Sequence, residues 1–228
     1  MQTTLKVKLI AHTPDADKLV AAAAKLCYAK SDVDTLMDNL TAEKVEEFIE
    51  RLAELGHQSP IEHASYTFAV EGVSRALLAQ LTRHRIASYS VQSQRYVDKG
   101  DFDYVIPPSI AANMEAKDAY IQCMNLASAC YGLFTMIGIP NEDARFVLPN
   151  ACDTRIIFTM NARSLHNFFR LRCCNRAQWE IRAMADEMLK LCREVSPALF
   201  RHAGPSCAVT GKCSEGAMCC GEPREELK

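Results

Sequence analysis

Residues 65–95 read SYTFAVEGVSRALLAQLTRHRIASYSVQSQR, and the change of periodicity inside this stretch decides the fold class. The first part alternates, with Tyr66, Phe68 and Val70 on one face of an extended chain. Gly72 ends or bulges that strand. Ser74 then stands as an N-cap for a helix carrying Gln80 and Arg83. In that helix Gln80, Arg83 and His84 lie at i, i+3 and i+4 and share a face. From Arg83 the character changes again. Arg83, His84, Arg85 and Arg95 interleave with Ser88, Ser90 and Ser93. Such a cluster is poor core material, because buried charge must be paired. It is good anion-binding material, since arginine forks match phosphate and hydroxyls donate to it. A basic last turn that suits the helix dipole explains Arg83–Arg85, but neither the serines nor Arg95.

Outward from this stretch, strands and helices interleave. Residues 5–11 alternate as a strand, and Pro14–Tyr28 and Asp32–Leu40 read as helices. Thr41 caps a helix running to Leu55 and stopped by Gly56. His57–His63 reads as a loop. Val91–Ile106 offers one or two short strands interrupted by Asp98-Lys99-Gly100, and Pro107-Pro108 opens a long helix through Gly138. Asn141–Leu148 is a short helix, Arg155–Met160 a strand, and Asn161–Arg172 and Ala177–Leu199 helices. There is no Gly-rich turn of a doubly wound nucleotide fold. The expected class is α+β, a mainly antiparallel sheet with packed helices.

The chain has 228 residues, 49% hydrophobic and 24% charged, with a formal charge of −2. One domain is the default at this length. A general nucleic-acid binder shows a basic excess, so the 83–95 cluster implies local phosphate recognition and no nucleic acid. No apolar run approaches twenty residues and the N-terminus lacks a signal h-region, so a cytoplasmic protein with no membrane span is expected. Of the 11 cysteines, Cys27, Cys123, Cys130 and Cys192 sit in helical segments and are expected as small buried hydrophobes. Cys207, Cys213, Cys219 and Cys220 fall in a polar tail, 203–228, set apart from the 1–202 domain. Their spacing of five and five is wider than the usual gap of paired zinc ligands. A flexible, oxidisable tail not needed for catalysis is the expected reading, with a metal clip as the alternative. His57, Glu62 and His63 do not follow the HExxH pattern, so no metal is expected there.

Arg83-His84-Arg85, seven residues, then Ser93 resembles the signature of the flavin-dependent thymidylate synthases. The likeness extends upstream through Gly56-His57-Gln58-Ser59-Pro60-Ile61-Glu62-His63 and downstream through Asn161-Ala162-Arg163-Ser164 to Gln178-Trp179-Glu180, over about residues 5–202. It implies methylation of dUMP to dTMP with methylenetetrahydrofolate, FAD as hydride carrier and NADPH as reductant. It also implies a homotetramer of single-domain subunits with active sites between them. The resemblance assigns Gln80, Leu81, Thr82, Arg83, Val91, Gln92, Ser93, Gln94, Arg95, Arg145 and Arg172 to dUMP. It assigns His57, Ser59, Arg83, His84, Arg85, Val91, Asn161, Arg163 and Asn167 to FAD, and ionisation of the pyrimidine at N3 to Arg172. A fixed cation there favours the anionic base and makes C5 more nucleophilic.

Bland readings stand beside these. Asn161 also suits an N-cap, Arg145 a surface ion pair with Glu142 or Asp143, and the Gln80 face a solvated surface. Cys173 and Cys174 adjoin Arg172 and could have lowered pKa values, without an obvious catalytic role. A nucleotide- or RNA-binding module, or another flavin oxidoreductase acting on a uridine nucleotide, are the rival functions. Val91 departs from a position that is often polar in the family, so any contact there is through backbone or packing.

Overall fold

A computed structural model describes residues 1–224; the last four residues of the tail lie outside it. The strands are β1 (Lys6–His12), β2 (Ser65–Ser74), β3 (Ser88–Val91) and β4 (Asp153–Asn161). The helices are α1 (Ala16–Leu26), α2 (Val33–Asp38), α3 (Ala42–Leu55), α4 (Arg75–Leu81), α5 (Pro108–Ala111) and α6 (Met114–Met136). They continue with α7 (Asn141–Ala144), α8 (Ala162–Arg172), α9 (Trp179–Val195), α10 (Pro197–Phe200) and α11 (Ser206–Thr210). The strands form one antiparallel sheet in the order β1-β2-β4-β3. Its register is fixed by Thr13 N donating to Ser65 O (2.9 Å), Ala162 N to Ala64 O (2.8 Å) and Arg75 N to Cys152 O (3.1 Å). The class is therefore the expected α+β.

The chain divides into two compact units, Met1–Lys6 with Ala69–Arg83 and Tyr89–Ile157, and Val7–Phe68 with His84–Ser88 and the described residues from Phe158 onward. Among the described residues no helix is long and apolar enough to cross a membrane.

The second unit has an aromatic core. Tyr66, Phe68, Phe158, Leu165, Phe168, Phe169, Met184, Met188 and Phe200 are all buried. Phe200 meets the Tyr66 ring edge-on at 5.1 Å and stacks on His166 at 5.4 Å. Burial holds His166 below its ordinary pKa, and its Nε2 donates to Leu199 O (2.9 Å). Tyr66 Oη donates to Ser196 Oγ (2.7 Å), satisfying both buried hydroxyls.

The first unit packs Phe102, Met124 and Cys152 together, with Tyr104, Tyr120 and Leu148 against them. Residues 92–106 are largely irregular rather than the strands expected there. The pairing segment, β3, lies earlier, and Tyr104 makes only isolated bridges to Gln2 and Cys152. Side chains tie this segment down instead: Tyr120 Oη donates to Val105 O (2.8 Å), and Ser128 Oγ to Gly100 O. The long helix expected after Pro107-Pro108 is split, because Asn113 caps a new start by accepting from Ala116 N (3.0 Å). Ala177–Leu199 is split likewise, before Pro197, and residues 60–63 of the expected loop form a 3-10 turn. Cys27 and Cys123 are exposed and Cys130 is partly so; of the four expected hydrophobes only Cys192 is buried. The apolar neighbours that suggested burial, Leu26 and Leu126, are themselves exposed.

Gly72 sits inside β2 with φ +71°, and a Cβ there would lie 1.9 Å from the Thr4 carbonyl oxygen. Gly72→Ala combines a left-handed backbone penalty with a backbone collision, so residues 1–4 must move away. A loss of about 2–3 kcal/mol is expected from denaturant midpoints. A loss below about 0.5 kcal/mol, within the noise of surface substitutions, would show that the close approach is not enforced.

Candidate active site

The side chains singled out in the sequence fall into two groups, one in each unit. In the first unit, α4 starts where Ser74 Oγ accepts from Leu77 N (3.1 Å) and ends at Leu81. Arg83 and His84 therefore lie beyond the helix, and the shared helix face with Gln80 does not exist. At the stop, Tyr89 Oη from β3 donates to the Leu81 carbonyl (2.9 Å), taking one of the orphan acceptors of the last turn. Burial pushes the Tyr89 hydroxyl up to about 12, so it stays a donor. Thr82 caps the end, its Oγ1 donating to Leu78 O (3.0 Å). Leu81 is fully buried, so its side chain belongs to the core rather than to a ligand surface.

Beyond β3 the chain turns at Ser93, whose Oγ accepts from Arg95 N (3.1 Å). Gln92 N donates to Arg155 O (2.9 Å), anchoring the turn to β4. Gln94 Nε2 reaches the Cys152 sulfur at 3.7 Å. Among the described residues, the buried Gln92 Oε1 has no hydrogen-bond partner. An orphaned buried acceptor is costly unless a ligand donates to it.

Arg95 and Arg145, fifty positions apart, meet at Glu142. Arg95 Nε and the Glu142 carboxylate are 2.9 Å apart, while Arg145 Nε donates to the Glu142 carbonyl (3.0 Å). The surface ion pair that stood as the plain alternative for Arg145 does not form with Glu142, whose carboxylate belongs to Arg95. Glu142 stood only as a neighbour of Arg145; its link to Arg95 was not anticipated, because nothing in local spacing joins the two.

In the second unit, Asn161 is the N-cap of α8, its Oδ1 accepting from Ser164 N (2.9 Å). Arg163 donates to Gln58 Oε1 (3.2 Å) and pairs with Glu62, joining α8 to the 57–63 segment across about a hundred residues of sequence. This assigns Glu62 to an ion pair; sequence reasoning named Gln58 and Glu62 but missed Arg163 as their partner. Asn167 Oδ1 accepts from Arg170 (3.1 Å). His57, Ser59, Arg85 and the apolar Ile86 are exposed.

Arg172 ends α8, and its Nε donates to His84 Nε2 at 3.0 Å. An accepting Nε2 carries no proton, which assigns His84 as a neutral ring protonated on Nδ1. Burial first, then the neighbouring Arg172 charge, pushes the His84 pKa down to about 4. The ring is further held edge-on against Phe168 at 4.9 Å. The adjoining Cys173 is buried and its thiol pushed up, chiefly by desolvation; the lowered value that adjacency to Arg172 suggested is not found.

The family model described as "Thymidylate synthase complementing protein" matches residues 8–198. The chain belongs to that family. Flavin-dependent thymidylate synthases of Geobacter sulfurreducens and Clostridium tetani are similar to it, at 53% and 51% identity. The matches cover 97% and 98% of this chain and 96% of each relative. Among solved structures, a UMP/dUMP methylase from Streptomyces cacaoi bound with 5-Br dUMP superposes with TM-score 0.79. At 24% identity, over 88% of this chain and 94% of that one, it speaks for the fold.

Proposed function

We propose that this chain is an FAD-dependent thymidylate synthase that methylates dUMP to dTMP, with methylenetetrahydrofolate as one-carbon donor and NADPH as reductant. The observation that carries the reading is the near-full-length match to flavin-dependent thymidylate synthases, on a chain that keeps Arg83-His84-Arg85 and Ser93. The assembly proposed is a cytoplasmic homotetramer with active sites between subunits.

The donor set fits a flavin dinucleotide. Exposed Arg85 and Arg163, with Asn161, Asn167, His57 and Ser59, supply the cations and small donors a diphosphate needs. Exposed Ile86, 75% accessible, supplies apolar surface for a planar ring. Arg83, His84 and Val91 complete the set assigned to FAD. The bound flavin supplies hydride.

The chain's own groups bind and polarise the nucleotide. Ser93 and Arg95 take the phosphate of dUMP, aided by Arg145. Gln80, Leu81, Thr82, Arg83, Val91, Gln92 and Gln94 surround the nucleoside. Leu81 and Val91 contribute only backbone or packing. The orphaned Gln92 Oε1 accepts a proton-bearing group of the substrate. Arg172, held by neutral His84, places a permanent cation at N3 of uracil, favouring its anion and so raising the electron density at C5. No cysteine nucleophile is required.

The purified protein should be yellow, should bleach on NADPH addition, and should form dTMP only when dUMP and methylenetetrahydrofolate are both present. A colourless protein that cannot be loaded with FAD would overturn the reading. Ser93→Ala and Arg95→Ala should each weaken dUMP binding by about 1.5–3 kcal/mol while leaving FAD binding intact. Glu142→Gln should leave dUMP binding unchanged or tighter, because the carboxylate competes with phosphate for Arg95 and the exposed pair is worth little by itself. Equal titration curves for wild type and both Ala variants would remove this turn from the nucleotide site.

A further inference from the structure

The tail is not the loose appendage its composition suggested. It forms α11 and a 3-10 turn at Gly216–Met218, and it is docked by the folded part of its own unit. Arg176 donates to Met218 O, and Asn175 Nδ2 to Glu222 O (2.9 Å). Arg224 donates to Cys173 O (2.7 Å) and pairs with Asp186 at 2.8 Å, both side chains mostly buried. All but the Asp186 pair, which lies on α9, land on the segment that follows Arg172.

Docking brings the cysteines together. Cys174, Cys207, Cys213, Cys219 and Cys220 line one cleft of about 230 Å³, with Arg170 and Arg176 on its wall. The Cys219 thiol neighbours those of Cys213 and Cys220. Cys219 Sγ also accepts from Gly221 N (3.5 Å), whereas Cys220 Sγ donates to Glu222 O (3.2 Å). Five soft ligands thus line one small cleft, four from the tail and Cys174 from the body of the unit. Among the described residues no three His, Cys, Asp or Glu groups already stand as a ready-made ligand set, so the sulfurs must close inward by side-chain rotation.

We infer that Cys174, Cys207, Cys213 and Cys219 form a thiolate metal centre, filled by zinc or by an iron–sulfur cluster, that clips the tail to the segment after Arg172. Four thiolates are the ligand set that both centres use, and thiolate softness excludes calcium and magnesium. Four thiols binding Zn²⁺ release four protons and leave a site of net charge −2; a four-iron cluster assembled from iron and sulfide has the same need for countercharge. Arg170 and Arg176 provide it. Cys219 is chosen over Cys220 because its sulfur already accepts a backbone N–H, as a thiolate ligand does. The sequence spacing hid the site because its fourth ligand, Cys174, comes from the body of the unit rather than from the tail.

The full chain should be purified without chelator under anaerobic conditions and its metals and acid-labile sulfide measured. About one zinc per chain without sulfide identifies a mononuclear site; iron with matching sulfide, and absorbance near 400 nm that survives flavin removal, identifies a cluster. In either case Cys174→Ser and Cys219→Ser should cut the metal content at least about tenfold, and Cys27→Ser with Cys123→Ser should not. Cys219→Ser is an exposed tail substitution, so its result does not depend on core folding. No metal above trace, together with failed reconstitution by Zn²⁺ and by iron plus sulfide, would overturn the proposal. So would a Cys213–Cys219 disulfide in the anaerobic protein, or full metal content in both Ser variants. None of these readouts depends on turnover of dUMP.

Discussion

Arg172→Ala should abolish nearly all dTMP formation, by a factor of about 10²–10³, while the protein remains yellow and is still bleached by NADPH. One preorganised charge donor removed from a developing anion typically costs about 2.7–4 kcal/mol of transition-state stabilisation. The geometry supports preorganisation: Arg172 closes α8, and its Nε is committed to His84 at 3.0 Å. Arg172→Lys should recover only part of the loss, since an ammonium lacks the planar fork and cannot repeat the Nε contact while facing a ligand. Near-normal dTMP yield in the Ala variant would remove Arg172 as activator. Lost flavin would move it to a structural role.

The His84 lock carries its own pH signature. Its folded pKa, about 4, lies below the ordinary 6.5. The unfolded chain therefore binds the extra proton first, and stability falls as pH drops from about 6.5 towards 4, then levels off. Above pH 6.5 the ring is neutral in both states and contributes no slope. The lock is thus intact across the neutral range, and an acid-side fall in melting temperature that is smaller in His84→Phe, the remainder including buried His166, would report it.

The caps were legible in the sequence because each is a short-range contract between a side chain and the next turn. Thr41, Ser74 and Asn161 accept from the N–H groups of Lys44, Leu77 and Ser164, and Gly56 ends α3 with φ 68°. The alternation in β2 was legible for the same reason: Tyr66, Phe68 and Val70 are buried in turn. What failed was decided by distant partners. α4 stops at Leu81 because of a hydroxyl eight residues on, and the 92–106 segment gives up strand pairing because Tyr120 and Ser128 hold its carbonyls. At the site, the signature residues could be named but their partners could not. Glu142 comes to Arg95 from outside any motif window; Gln58 and Glu62 stand inside the Gly56–His63 segment and Cys174 beside Arg172, but nothing local links them to Arg163 or to the tail.

The same lesson gives the largest stability effect. Lys99 reads in the sequence only as part of the Asp98-Lys99-Gly100 interruption, yet its Nζ lies 3.1 Å from Asp153 Oδ1, with side chains only 10% and 9% accessible. Lys99→Met should cost about 3–5 kcal/mol, because it strands a buried carboxylate at the start of β4. That is a large share of the roughly 5–15 kcal/mol by which a domain is stable. Adding Asp153→Leu should return most of the loss, since an apolar pair carries no desolvation penalty. The damage should also reach the nucleotide turn. β4 holds Gln92 through the Arg155 carbonyl (2.9 Å), and Gln94 through the sulfur of Cys152, the residue next to Asp153. Denaturant midpoints at one fixed protein concentration, for both single variants and the double, give the coupling directly. A Lys99→Met loss under about 1 kcal/mol would show that water reaches the pair, and the irregular 92–106 segment would then need another anchor.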